Sequence, residues 1–382
     1  MIRQRRPLQG GGVVLSKPAY PHGARVPSDK APTKAPAPLI ISHRQAPTPS
    51  IVFDTYWRFA TERQDIFFKR VEGRQEPWTR DPVLQEHKFT NAYRASDRIS
   101  QYLIKEVVYR RTFGPRDAIL RILLFKIFNK IETWELLQES LGEIVEGRFS
   151  VERLDQVLTK ALEGGASIYS AAYIMPSGPI AIRRARKHRM HLELLAHLFS
   201  SDFPERLMEA RTMAALYELL RSVPSIGPFL AYQFATDLNY SDRFDLSEME
   251  FVVPGPGARD GIRKCFSSLG GYTEADVIRW VADQQEHEFS KRGLQFRSLW
   301  GRPLQLIDCQ NLFCEVDKYA RRVHPDVAGR TGRTRIKQRF VSRGRMATPW
   351  FPPKWNINER VSGGSADDRP LFAITQAARL GI

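Results

Sequence analysis

From residue 51 onward, apolar residues recur at intervals of three and four, the signature of helices that bury one face. Residues 51–70 set Phe53, Tyr56, Trp57, Ala60 and Phe67 on such a face. Pro77 to Pro82 break the pattern, and residues 89–109 resume it through Tyr93, Ile99, Leu103 and Val107. Residues 115–137 predict one long helix, with Pro115 in its first turn and Ile119, Ile122, Leu123, Lys126, Ile127 and Ile131 along one side. Further helices are predicted over 151–162, 188–199, 212–222, 273–291 and 303–322, the last lined by Leu306, Cys309, Leu312, Phe313 and Val316. Alternation of period two is scarce, so the fold class is mostly α.

The flanks are different. Residues 1–50 are rich in proline, alanine, glycine and basic residues and nearly free of acids, so they predict a disordered basic arm that cannot bury enough surface to order. Residues 51–325 form the expected helical domain, its N-terminal helices over 51–200 and its chemistry over 201–325. Residues 326–382 are expected as a basic, aromatic tail. Within it, residues 330–345 carry no acid, and Trp350 to Trp355 is aromatic and proline-rich, which suits a flexible arm or a nucleic-acid contact.

Charge changes the picture. Against 42 Asp and Glu stand 58 Lys and Arg, a net +16 at pH 7. Such a surplus favours a polyanionic partner through counterion release and long-range steering. Cys265, Cys309 and Cys314 make neither a disulfide framework nor a complete zinc set, so no metal and no cofactor are expected. Arg3, Arg5 and Arg6 are followed by no apolar stretch, and no apolar run is long enough to span a bilayer. The expectation is a cytoplasmic protein without a membrane partner.

The most distinctive segment spans residues 219–235. A helix ends near Ser222, a tight Pro224-Ser225-Ile226-Gly227 turn follows, and a second helix starts near Pro228. This is the layout of a helix-hairpin-helix element. Gly227 is expected to supply the positive φ of the turn. The free N–H groups of the second helix, helped by its dipole, then face a phosphate. Such a grip holds a duplex backbone without reading its sequence. Ser225, Ile226 and Gly227 are therefore candidate DNA contacts, joined by Arg183, Arg184, Arg186 and Lys187 of a basic stretch and by Arg335 and Lys337 in the tail.

Val223 to Ala231 resembles the hairpin of the helix-hairpin-helix DNA glycosylase superfamily, with Ser225 in place of its first glycine. Phe229 stands where that superfamily often carries a lysine nucleophile, so the resemblance implies a monofunctional enzyme. The superfamily's catalytic aspartate register falls on Ser247, beside Glu248 and Glu250.

A second set of motifs is dispersed over residues 53–325. It comprises Pro77-Trp78-Thr79 with Asp81-Pro82, the run Lys88 to Arg94 with Asp97-Arg98, Glu248 to Phe251 leading into Gly255-Pro256-Gly257-Ala258, and Asp308 to Asn311 with Cys314-Glu315 and Asp317-Lys318. Together they are similar to the helical domain associated with hydroxymethyluracil DNA kinases and phage thymine-hypermodification enzymes. Relatives in that family include amino-acid-to-DNA transferases and anti-phage glycosylases of hypermodified bases. The chain carries no G-x-x-x-x-G-K-[ST] phosphate loop, so the resemblance alone does not imply a kinase.

An enzyme acting on a base in a duplex must flip it out of the stack. Cleavage of its glycosidic bond passes through an oxocarbenium-like sugar that a nearby carboxylate stabilises. Glu250 is the first candidate for that carboxylate, Glu248 the second and Asp308 the third. Asn91, Tyr93, Arg94 and Asp97, expected on one helix, are candidates for the base pocket. So are Lys126 and Asn129, which interrupt an apolar helix where an unpaired charge is costly, and Gly255 and Gly257, which permit close approach of backbone. The leading expectation is a monofunctional DNA glycosylase of anti-phage defence. It would excise a hypermodified pyrimidine from double-stranded DNA, such as glucosylated hydroxymethylcytosine or a hydroxymethyluracil derivative, and leave an abasic site. The alternatives are a transferase that adds an amino acid to activated 5-hydroxymethyluracil in DNA, and a non-catalytic reader of modified DNA.

Overall fold

The computed structural model describes residues 44–172, 175–176, 186–342 and 346–362. The expected basic arm lies outside the described residues up to position 43, as do Arg183, Arg184, residues 343–345 and residues 363–382.

The body is helical, as its periodicity predicts. Ser50 caps α1 (Ile51–Val71), its hydroxyl accepting from Val52 N at 3.1 Å. Asp81 caps α2 (Pro82–Glu86) in the same way. An irregular segment and a 3-10 turn (Arg94–Ser96) lead into α3 (Arg98–Tyr102), which runs on as a π-helical turn (Leu103–Val108). There follow α4 (Pro115–Phe128), α5 (Ile131–Leu141), α6 (Val151–Glu163), α7 (Lys187–Phe199), α8 (Phe203–Glu209), α9 (Met213–Arg221) and α10 (Pro228–Leu238). The last helices are α11 (Pro256–Cys265), α12 (Glu274–Asp283), α13 (Gln285–Lys291), α14 (Leu306–Val323) and α15 (Asn358–Ser362). Two short strands, β1 (Thr48–Pro49) and β2 (Phe266–Ser268), pair antiparallel. Among the described residues, no helix is long and apolar enough to cross a membrane.

Two helices form the interior. α4 is buried on every side from Ala118 to Phe128 and packs against α5, α7, α8 and α10. Its one internal arginine, Arg121, donates to the carbonyls of Val107 at 2.9 Å and Ile144 at 3.1 Å and lies 3.9 Å over the Phe113 ring. α14 is the second, packed against α1, α11 and α12. α11 approaches it closely because Gly257 sits against Cys314 and Gly261 sits against the Phe313 carbonyl. Beyond them, Lys264 and Asp317 pair at 3.0 Å with both side chains buried.

Three expectations are corrected. The helix predicted over 115–137 is two, because Asn129 adopts a left-handed conformation (φ 47°) and ends α4. The helix predicted over 273–291 likewise breaks at Gln284. Part of the expected free tail is docked. Phe351, Ile357 and Val361 are buried, and Trp350 N donates to Gln101 at 2.8 Å.

A methyl group at position 261 has no room against the Phe313 carbonyl, whereas Gly227 has open space around it. Gly261→Ala is expected to cost about 3 kcal/mol or more through forced separation of α11 and α14, and Gly227→Ala about 1 kcal/mol or less. Urea unfolding of the two variants compares them directly.

Candidate functional site

The turn between α9 and α10 is built differently from its expected form. Gly227 has φ −74° and serves as the N-cap of α10, while Ser225 takes the left-handed conformation at φ 71°. A serine thus pays for the tight turn that glycine was expected to make. Val223 and Ile226 anchor the turn in the core, and Pro224 is exposed. Phe229 packs against Gly255, where an added Cβ would lie 2.8 Å from its ring.

The inner face of α10 carries a buried charge cluster. Arg94 forks onto Asp237, with Nη1 to Oδ1 at 2.7 Å and Nη2 to Oδ2 at 3.1 Å. Its Nε donates to Gln233 at 3.0 Å and its Nη1 to the Tyr240 hydroxyl at 3.1 Å. Lys126 pairs with the same carboxylate at 2.7 Å and donates to Asn129 at 2.9 Å. Burial alone would raise the Asp237 carboxyl, but Arg94 and Lys126 outweigh it and hold the group below its usual range. Burial lowers the Lys126 ammonium to about 8, against the pull of Asp237.

The backbone of Arg94 is fixed from the other side. Its N–H donates to Asp308 Oδ1 at 2.8 Å, and Asp308 Oδ2 accepts from Gln305 N at 3.0 Å at the start of α14. Burial pushes the Asp308 carboxyl up to about 7, opposed by these two N–H donors and reinforced by Glu248. Asp97 is likewise pushed up to about 7 by burial. It accepts from Asn91 N at 2.8 Å, and Asn91 in turn accepts from Arg63 at 3.0 Å. Thr90 N donates to Glu315 at 3.0 Å, and Asn311 donates to Thr90 at 2.9 Å. Asn91, Tyr93, Arg94 and Asp97 are therefore not on one helix. They belong to an irregular loop and 3-10 turn whose polar groups are tied to α1, α10 and α14.

Glu248 lies at the edge of this cluster and pairs with Arg302 at 2.6 Å. Arg302 ends a tight turn in which Trp300 (φ 49°) and Gly301 (φ 91°) both have positive φ, the pattern of a type I′ turn. Tyr93 OH donates to the Arg302 carbonyl at 2.7 Å. The Arg302 guanidinium lies 3.9 Å over the Trp355 ring. Next to Trp355, Lys354 donates to the carbonyls of Asn239 at 2.5 Å and Phe244 at 2.6 Å, just beyond the C-terminus of α10.

The candidate acids thus separate. Glu248 and Asp308 share one electrostatic neighbourhood, whereas Glu250 is exposed and its backbone carbonyl accepts from Arg279. Gly255 N donates to Gln310 at 3.3 Å, so Gly255 and Gly257 serve the packing of the hairpin and of α14. Lys126 neither reaches the surface nor stands unpaired. Arg186 is exposed just before α7, and Lys187 lies 4.7 Å over the Tyr169 ring. Arg335 and Lys337 are exposed on a segment pinned at Arg335 O by Arg321 and at Gln338 O by Lys88 N, each at 3.0 Å. Asp237, Gln233, Tyr240 and Arg302 were not singled out from the sequence, and Trp355 was marked only as the end of an aromatic, proline-rich stretch. Only Asp237, a charge inside an apolar helix, carried a readable signal.

A mostly helical body with a buried polar network and an acid–arginine edge defines the class. The sequence family described as "5-hmdU DNA kinase, helical domain" matches residues 50–329, and the chain belongs to it. The 5-hmdU DNA kinase of Bacillus phage SP10 is 26% identical over 296 residues, covering 72% of this chain and 46% of that relative. The chain thus spans less than half the length of the curated relative it matches. No solved structure matches it. These findings correct the expected chemistry: the relative is named for phosphorylation of DNA, so base excision by a hydrolase is set aside, and amino-acid transfer does not fit that name either.

Asp237→Asn would leave Arg94 and Lys126 buried without their shared anion. A loss of about 3–5 kcal/mol in urea unfolding is expected. The raised Asp308 carboxyl gives a pH signature. The folded chain keeps its proton up to about 7 while the unfolded chain releases it near the ordinary value of 3.8, so this group's contribution falls as pH rises between those values. Asp308→Asn removes that fall. Its destabilisation relative to the native chain is expected to be larger at pH 4 than at pH 7, measured by urea midpoints at both.

Proposed function

We propose that this helical body acts on DNA containing 5-hydroxymethyluracil and presents that base for phosphoryl transfer to its hydroxymethyl oxygen. The observation that carries this reading is the family match over residues 50–329, shared with a kinase named for 5-hmdU DNA. The net charge of +16 supports a phosphate-rich partner. The α9–α10 turn, with Ser225, Ile226 and Gly227, acts as a helix-hairpin-helix phosphate grip on the duplex. Arg186, Lys187, Arg335 and Lys337 add sequence-independent contacts. In the transfer, the hydroxymethyl oxygen attacks the terminal phosphorus of a nucleoside triphosphate, the bond to the diphosphate leaving group breaks, and the hydroxyl proton passes to a carboxylate. Glu248 is our choice for that carboxylate, because it stands beside Arg302 at the rim of the cluster while Asp308 is committed to two backbone N–H groups.

Equilibrium binding to duplexes that differ in one base tests this reading. A duplex with one 5-hydroxymethyluracil is expected to bind about five- to tenfold more tightly than its thymine counterpart, the gain from one additional hydrogen bond to a hydroxyl. Equal affinity for the two duplexes would overturn it.

A further inference from the structure

We propose that the face of the Arg302 guanidinium covered by Trp355 is a stacking site for the base extruded from DNA, and that the Trp355 indole is its intramolecular stand-in. This rests on the proposed action on a base in DNA.

Arg302 is held as a platform should be held. Its backbone is fixed by the Leu299–Arg302 bridge and by the Tyr93 hydroxyl, and its guanidinium is fixed edge-on by Glu248 at 2.6 Å. The pairing leaves a flat face, and that face carries an aromatic ring at 3.9 Å. Planar guanidinium groups stack on unpaired bases as they stack on indoles. The Glu248 carboxylate beside the stack offers an acceptor to a pyrimidine N–H or hydroxyl.

Arg302, Glu248 and Tyr93 lie within residues 50–329, the span of the family match, and Trp355 lies beyond it. The segment that delivers Trp355 is anchored without the indole. Phe351 is buried, Lys354 is held by the carbonyls after α10, and Asn358 exchanges hydrogen bonds of 2.8 Å with the Phe351 backbone. Trp355 itself is only half-buried, against Tyr240 and Phe351 at ring distances of 5.8 and 6.0 Å. The ring can therefore swing off Arg302 while the backbone stays in place, and an incoming base takes over the contact.

Titration of Trp355→Ala with the 5-hydroxymethyluracil duplex and with the thymine duplex tests the proposal. Removing the stand-in is expected to tighten binding of the modified duplex about five- to tenfold, the low end of the scale of one stacking contact. Arg302→Lys keeps the charge but not the plane, and in the Trp355→Ala background it is expected to abolish the gain. Trp355→Leu, which keeps apolar bulk without a stacking ring, serves if the alanine variant folds poorly, and the same gain is expected of it. Unchanged or weaker binding by folded variants, with the native chain binding normally, would reduce Trp355 to a packing residue and leave the DNA reading standing. Failure of the native chain to distinguish the two duplexes would remove the DNA reading itself.

Discussion

Arg94 is the residue on which the arrangement depends. Its guanidinium is forked onto Asp237 of α10, and its backbone N–H is held by Asp308 of α14. One residue therefore fixes the distance between the hairpin half of the body and the α11–α14 half. A buried ion pair is a poor source of net stability, since desolvation offsets most of its Coulombic gain. Its worth here is positional. The fork admits one orientation, and with Lys126 on the same carboxylate the cluster holds two cations and one anion away from water. Gln233, Tyr240 and Asn129 disperse the remaining charge through hydrogen bonds.

The dispersed motifs make sense as the two faces of α14. Asp308 meets Arg94, Gln310 meets Gly255, Asn311 meets Thr90, Glu315 meets the Thr90 backbone, and Asp317 meets Lys264. Residues far apart in the chain are thus complementary partners on one helix. Gly261 permits this, because only a residue without a side chain lets α11 pass the Phe313 carbonyl. The motifs read first as chemistry are in large part the joinery of the body. Their polar groups are consumed by one another, and Glu248 with Arg302 is where that network nears the surface.

Periodicity gave α1, α6, α7 and α9 within a residue or two, because each buries a stripe that helical spacing reveals. It could not give the break at Asn129, since the apolar pattern continues unbroken from α4 into α5 while one residue turns left-handed. Nor could it give the loop around Arg94, whose shape is set by Asp308, Asp97 and Glu315 from distant positions. The hairpin was legible as two helices and a turn, but its strained residue is Ser225 where glycine chemistry pointed to Gly227. The docking of Phe351 was illegible because a short aromatic stretch among prolines has no period at all.

The reaction was less legible than the fold for a chemical reason. A carboxylate beside an extruded base can stabilise a cationic sugar or accept a hydroxyl proton, and the side chain is the same in both cases. What distinguishes them is which substrate atom meets the carboxylate. That choice depends on the surface which holds the base, and a flat cation such as Arg302 fixes a ring's plane without fixing its chemistry. The sugar carbon C1′, bonded to N1, and the exocyclic methylene, bonded to C5, are both in-plane substituents on the rim of the ring, so a carboxylate edge-on to that plane can meet either. A stacking platform therefore leaves the choice of reaction open, and it is the family match that speaks for phosphoryl transfer over excision.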